Sequence, residues 1–327
     1  MKLDIGSIEY VLPETIEDGR NLMEDNPEWR IADIEEKTGI QSRHIASESQ
    51  TAVDLAQQAA KKMFAKRSLQ PDEIDFLILV TQSADYALPT SACILQDRLS
   101  LKTSCIAFDV NLGCSGFIYG LAIAGGLIES NLAKKGLLIC SDTYTKYIDD
   151  SDRTCRPIFS DGAACVLLKS SEHDCIGPFE LGTDGSGEND LIVPMSGARR
   201  TSDQDFSERQ LFMNGSNVFM FTMKMVPECV TSLLEKAGKT IDEIDLFVFH
   251  QASKLVIDSI IRRLDIEIGK VYINYHHVGN TVSASIPIAL DQAVAEKRLK
   301  KGDQVMMVGF GVGYSWGACL VNWGETE

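Results

Sequence analysis

Unbroken apolar runs alternate with amphipathic ones along this chain. FLILV (76–80), CIAFDV (105–110), GLLICSD (136–142), LFVFH (246–250), VYINY (271–275) and VMMVGFG (305–311) are largely apolar and short. Strands covered on both faces have this character. Between them, 49–67, 90–100, 115–130, 217–237, 253–264 and 281–296 place apolar residues at helical spacing. The first of these opens at a Ser or Thr suited to capping a helix. Strands alternating with helices predict mixed α/β layers with mainly parallel strands. Hairpins are expected at 157–168 and after 305–311. The polar stretch 184–210, rich in Gly and charge, reads as a long connection, either a functional lid or disordered.

The pattern occurs twice. DEIDFLILV begins at 72 and DEIDLFVFH at 242, 170 residues later. Gly113-Cys114 has a counterpart 166 residues on, at Gly279-Asn280. DGAACVLL (161–168) is matched by WGACLVNW (316–323). Three matches in one order indicate a duplicated unit, with halves at 1–172 and 173–327.

Composition narrows the function classes. A net charge of −16 argues against nucleic acid or an anionic membrane as the main partner, so any docking surface for an acidic protein must be a local basic patch. The chain has no apolar run of transmembrane length, and its first residues lack the apolar core of a signal peptide. The expectation is a cytoplasmic protein. Nine cysteines are an odd number without C-x-x-C spacing, which disfavours zinc and disulfide frameworks.

Cys114 stands apart from the other eight. It lies in FDVNLGCSGF, where a strand-like run turns through Gly-Cys into a small-residue helix. Unpaired N–H groups and the positive end of the helix favour a thiolate there, making it a candidate nucleophile. The repeat places His250 where the first half has Val80, at the end of a buried strand, the place where α/β folds present ligand-facing groups. Taken singly, His250 is compatible with a core position and Asn280 with ordinary turn chemistry. GFGVGYSWGA (309–318) is either a tight hairpin or a loop whose N–H groups face an oxyanion.

FDVNLGCSGF, HQAS at His250, GNTVSASIPIAL at Asn280 and GFGVGYSWGACLV occur in the order and spacing of one family. Over essentially its whole length the chain resembles the β-ketoacyl-acyl-carrier-protein synthases III of the thiolase-like superfamily. The resemblance implies a five-layer α-β-α-β-α fold built from two duplicated halves. It implies a decarboxylative Claisen condensation, with Cys114 taking an acyl group from acyl-CoA or another acyl thioester. His250 and Asn280 would bind the malonyl-acyl-carrier-protein carbonyl, and the N–H groups of Cys114 and the Gly311–Val312 loop would hold the oxyanion. No metal or cofactor is implied, and a homodimer is. Arg153 and Lys37 would lie near the CoA nucleotide, and Phe159 would wall the tunnel. Leu88 would reach across a dimer to end the acyl pocket; as a leucine it would admit a longer or branched acyl group. Ser253, Lys254, Arg262 and Arg263 would dock the carrier protein.

The chain departs from the family pattern at several of these positions. Asp33 and Lys37 replace the tryptophan and arginine that clasp adenine, Ser253 replaces an asparagine, and Val312 replaces a glycine. These changes suggest a divergent member that loads its acyl group from a carrier protein. A non-condensing acyltransferase on the same fold, passing its acyl group to an alcohol or amine, is the alternative. Retention of both His250 and Asn280 favours condensation. A cysteine protease lacks its signature around the cysteine. An intact trio argues against a non-catalytic partner subunit, and thiolases need a second catalytic cysteine.

Overall fold

FLILV (76–80) contains no polar residue because both of its faces are covered. In the computed structural model, which describes residues 1–198 and 210–324, Phe76–Val80 is an interior strand of a five-stranded sheet. The order is Leu3–Val11, Gly162–Ser170, Lys135–Asp142, Phe76–Val80, Ile106–Val110. Phe76, Ile78 and Val80 enter one core, Leu77 and Leu79 another. A second sheet has four strands, ordered Leu246–Phe249, Gln304–Gly311, Ser315–Asn322, Ile176–Thr183. Its Leu246 and Val248 share the core of Phe76, whereas Phe247 and Phe249 face away.

The shared core is the middle of the molecule. Helices Gly116–Glu129 and Ser285–Ala295 lie there between the two sheets, contributing Phe117, Leu121, Ile286 and Leu290. Ala52–Arg67 and Ser91–Arg98 cover the outer face of the first sheet. Gly215–Ala237 and Lys254–Leu264 cover that of the second. The result is the expected five-layer α-β-α-β-α arrangement.

The duplication is visible in detail. Each DEID segment forms a short 3₁₀ turn, Pro71–Glu73 and Ile241–Glu243, before its strand. Asp75 then accepts from the N–H groups of Lys134 and Lys135, and Asp245 accepts from that of Gln304. The same side chain thus pins the start of a neighbouring strand in both copies.

Three expectations need correction. The sheets are mixed rather than mainly parallel: Gly162–Ser170 and Ser315–Asn322 return antiparallel to the strands before them, without a helical crossover. The segment 157–168 supplies one strand of the first sheet, not a tight hairpin, whereas Gln304–Gly311 and Ser315–Asn322 do form one. VYINY (271–275) is not a strand. Val271 makes a single bridge to Phe247, and the Gln251 carboxamide then donates to the carbonyl of Tyr272 and accepts from the N–H of Asn274. That side chain occupies groups a ladder would use, and the chain turns into Tyr275–Val278.

Within 184–210, Leu191–Ile192 pairs with Phe212–Met213, and residues 199–209 lie outside the described part. Among the described residues no helix is long and apolar enough to cross a membrane.

Candidate active site

Cys114 and the helix Gly116–Glu129 come from the first sheet's connections, whereas His250 and Asn280 follow strands and turns of the second. The fold brings all three to one cavity of about 1090 Å³. Cys114 is buried at its inner end, in a cluster with Tyr144, Phe159 and Val282. The terminal strand closes tightly over the nucleophile. A Cβ placed on Gly311 would lie 2.9 Å from the Cβ and 3.1 Å from the Sγ of Cys114, and one on Gly309 would lie 2.7 Å from its carbonyl oxygen. Only glycine permits that approach. Among the described residues, no backbone carbonyl accepts from the N–H groups of Cys114 and Val312, and the Cys114 N–H faces its own Sγ. Ser115 Oγ lies 2.6 Å from Ser315 Oγ, which donates to the Val312 carbonyl at 2.9 Å and so ties this loop to the nucleophile's turn.

His250 is anchored by its N–H to the Val308 carbonyl at 2.8 Å. Its Nδ1 lies 2.7 Å from Ser285 Oγ, which leaves Nε2 as the nitrogen available to a ligand. Phe310 packs edge-on at 5.6 Å and fixes the ring plane. Asn280 Oδ1 accepts from the Val282 N–H at 3.0 Å, so Nδ2 is the end of the amide left for donation. Backbone bonds from Asn280 N–H to the Ile158 carbonyl and from Ser160 N–H to the Asn280 carbonyl lock this turn to the segment carrying Phe159.

The electrostatics differ from the expectation of a thiolate. Burial, aided by the Asp142 carboxylate, pushes the Cys114 thiol up to about 12. Burial lowers His250 to about 3. The resting pair is therefore a neutral thiol and a neutral imidazole, and the helix start does not outweigh desolvation. Asp142 is itself buried and raised to about 6 by that burial. It accepts from the Gln82 N–H at 2.8 Å and from Ser283 Oγ at 2.5 Å, joining the turn that follows Phe76–Val80 to the one that follows Asn280. Sequence reasoning missed Asp142, Ser283 and Ser285; the signals were an acidic residue at a strand end and small polar residues at the start of an otherwise apolar helix.

The remaining candidates divide. Arg153 and Lys37 are exposed and line the cavity mouth, and buried Phe159 lines its wall. Asp33 also stands at the mouth, paired with Arg30 at 3.1 Å. Ser253 is buried in the cavity wall at the start of Lys254–Leu264, a position unlike the exposed docking surface foreseen for it. Arg262 and Arg263 are exposed on that helix, while Lys254 is ion-paired with Asp258. Leu88 is 82% exposed and lines no part of the cavity within this chain. Among the described residues no group of His, Cys, Asp and Glu is arranged to hold a metal.

Comparison with known proteins agrees with this architecture. Residues 108–185 match the family described as 3-oxoacyl-[acyl-carrier-protein (ACP)] synthase III, and residues 234–323 match its C-terminal counterpart. The chain is 38% identical to the beta-ketoacyl-[acyl-carrier-protein] synthase III of Clostridioides difficile, over 98% of this chain and 97% of that one. It is also 38% identical to that of Natranaerobius thermophilus, over 94% of each. A crystal structure of a 3-oxoacyl-(acyl-carrier-protein) synthase III superposes with a TM-score of 0.94 at 41% identity, covering 99% of this chain and 100% of that one.

Proposed function

The chain belongs to the 3-oxoacyl-[acyl-carrier-protein] synthase III family, and on that premise we propose that it condenses an acyl thioester with malonyl-acyl-carrier protein. The observation that carries this reading is the meeting of Cys114, His250 and Asn280 at one cavity, with the polar partners of His250 and Asn280 set. Cys114 sulfur attacks the donor carbonyl, the acyl–sulfur bond of the donor breaks, and the thiol proton passes to the leaving thiolate. The N–H groups of Cys114 and Val312, bonded to no backbone carbonyl, stabilise the intermediate oxyanion. Because the imidazole is neutral, Ser285 Oγ donating to Nδ1 leaves the proton on Nε2. Nε2–H and Asn280 Nδ2 then donate to the malonyl thioester oxygen. Loss of CO₂ leaves an electron pair as the enolate, which attacks the acyl carbonyl and expels Cys114 thiolate. Removing one such donor costs about 100- to 1,000-fold in rate. A non-condensing transfer would need no such pair of donors.

The acyl donor is an acyl-CoA or an acyl-carrier protein, entering past Lys37 and Arg153. The carrier docks on Arg262 and Arg263. A second copy is the expected partner along the edge strand Ile106–Val110, whose side chains are only half buried.

The test is intact-protein mass spectrometry with acyl-CoA and acyl-carrier donors, followed by addition of malonyl-carrier protein. Wild type should gain the acyl mass on Cys114 and lose it with formation of the β-keto product. Cys114→Ala should gain nothing. Asn280→Ala should keep the acyl group but not turn it over. Failure of every donor to load wild type would overturn the reading.

A further inference from the structure

The cavity reaches Cys114 and stops there. Phe159 and Leu191 pack with Cys114 and line the open side. On the closed side the same cluster contains Tyr144, Cys155, Leu211 and Val282, all buried and absent from the cavity walls. Tyr144 is the largest of these. It opens the 3₁₀ turn Tyr144–Tyr147, two residues past the strand ending at Asp142. Its ring lies 5.2 Å from that of Phe159 and meets Tyr147 edge-on at 6.0 Å. Its hydroxyl donates to Gln82 Oε1 at 2.7 Å. Gln82 is held in turn by its N–H to Asp142 at 2.8 Å, and its Oε1 lies close enough to Gly113 to be 2.4 Å from a Cβ placed there. The ring is therefore tethered at its tip beside the Gly113-Cys114 turn.

This arrangement limits what Cys114 can carry. In the second half-reaction the carrier's arm must enter through the mouth, so the acyl chain cannot lie there. It must turn toward the closed side. We infer that Tyr144, braced by Gln82, closes the acyl end of the cavity and restricts Cys114 to short acyl groups. Tyr144 thus sets chain length from within the same chain, in place of Leu88. The inference rests on the proposed acyl-cysteine chemistry.

Two measurements separate its failure from failure of that chemistry. The first is the kcat/KM series for acetyl, butyryl, hexanoyl and octanoyl donors in wild type, Tyr144→Leu and Leu88→Ala. Wild type should favour the short donors. Tyr144→Leu should raise octanoyl relative to acetyl by roughly 10- to 100-fold, the scale on which a pocket senses added methylenes. The second needs no enzymatic turnover. Methyl to octyl methanethiosulfonates form a mixed disulfide with Cys114 and release methanesulfinate, and peptide mapping reads the rate at that cysteine. Wild type should slow steeply with chain length and Tyr144→Leu should not. Should Tyr144→Leu not fold, Tyr144→Phe and Gln82→Ala remove the tether alone and should flatten the same series. Equal octyl and methyl rates in wild type would overturn the inference, as would an unchanged series in the folded variants or a shift confined to Leu88→Ala. A steep disulfide-formation series together with no acylation by any donor would leave the Tyr144 plug standing and remove the proposed reaction.

Discussion

Ser283 Oγ donates to Asp142 Oδ2 at 2.5 Å, across 141 residues of sequence. Asp142 ends a strand of the first sheet and Ser283 lies three residues past Asn280, so one buried carboxylate joins the two turns that frame the site. It also acts on the nucleophile through its charge. Above about pH 6 Asp142 is ionised and helps keep the Cys114 thiol protonated. Asp142→Asn should lower the thiol's pKa and speed its alkylation by iodoacetamide at pH 8, measured at Cys114 by peptide mapping. Condensation should slow by about tenfold, since a buried hydrogen bond to a charged group is worth about 1.5–3 kcal/mol. Unchanged alkylation would show that the carboxylate does not reach the sulfur.

His250 predicts a stability profile. Free histidine titrates near 6.5 and the buried ring near 3. Between these values the unfolded chain binds a proton that the folded one refuses, so stability falls as pH drops from 6.5 toward 3. Asp142 acts in the opposite sense between 3.8 and about 6, where the folded state holds the extra proton. The difference between wild type and His250→Gln isolates the histidine: the variant should lose less Tm on acidification from pH 7 to pH 4.5. Equal losses would mean the ring titrates normally.

Gly311→Ala tests the approach of the terminal strand to the nucleophile. Its methyl would sit 3.1 Å from Cys114 Sγ. Overpacking of this kind costs about 1–3 kcal/mol, and displacing the sulfur should lower acylation at least tenfold. Scanning calorimetry and the acylation rate together check it; full acylation with an unchanged Tm would refute the close contact.

The exposed pair on Lys254–Leu264 predicts a salt-dependent effect. Reversing charge in Arg262→Glu and Arg263→Glu should raise KM for malonyl-carrier protein about tenfold at low salt, with kcat and the KM for a malonyl-pantetheine fragment preserved. Rim charges act mainly on association and its salt dependence. Lys254, already paired with Asp258, should matter less. An equal effect on the fragment would place the pair elsewhere in function.

Much of this arrangement was legible because its causes are local. FLILV and LFVF had to be doubly covered strands, and the Gly-Cys and Gly-Asn turns announced themselves by composition. What escaped depends on partners distant in sequence. Tyr144 meets Gln82 62 residues away, and His250 meets Ser285 across 35. No periodicity encodes such pairs. The expected strand 271–275 failed because Gln251, a side chain, competes for backbone groups. The thiolate expectation weighed the helix start but not burial, which only the packed structure reveals. The N-terminal strand Leu3–Val11 was missed because Ser7 and Glu9 are buried within it and break its apolar pattern.

Val80 ends its strand and His250 directly follows the equivalent one, yet their side chains serve unrelated needs. Val80 fills the space over Gly116, where an added Cβ would lie 2.4 Å from its Cγ1, and so seats the helix behind the nucleophile. With that load carried by one copy, the equivalent position of the other copy holds a buried imidazole packed on Phe310 and bonded to Ser285. Duplication here relaxes a conflict that a single-copy fold would face at every such position, between filling volume and presenting a reactive group. Symmetric restoration is accordingly a poor design route: a histidine at 80 would crowd Gly116 and unseat the helix behind Cys114, and a valine at 250 would strip the imidazole from the cavity and leave Ser285 without its partner.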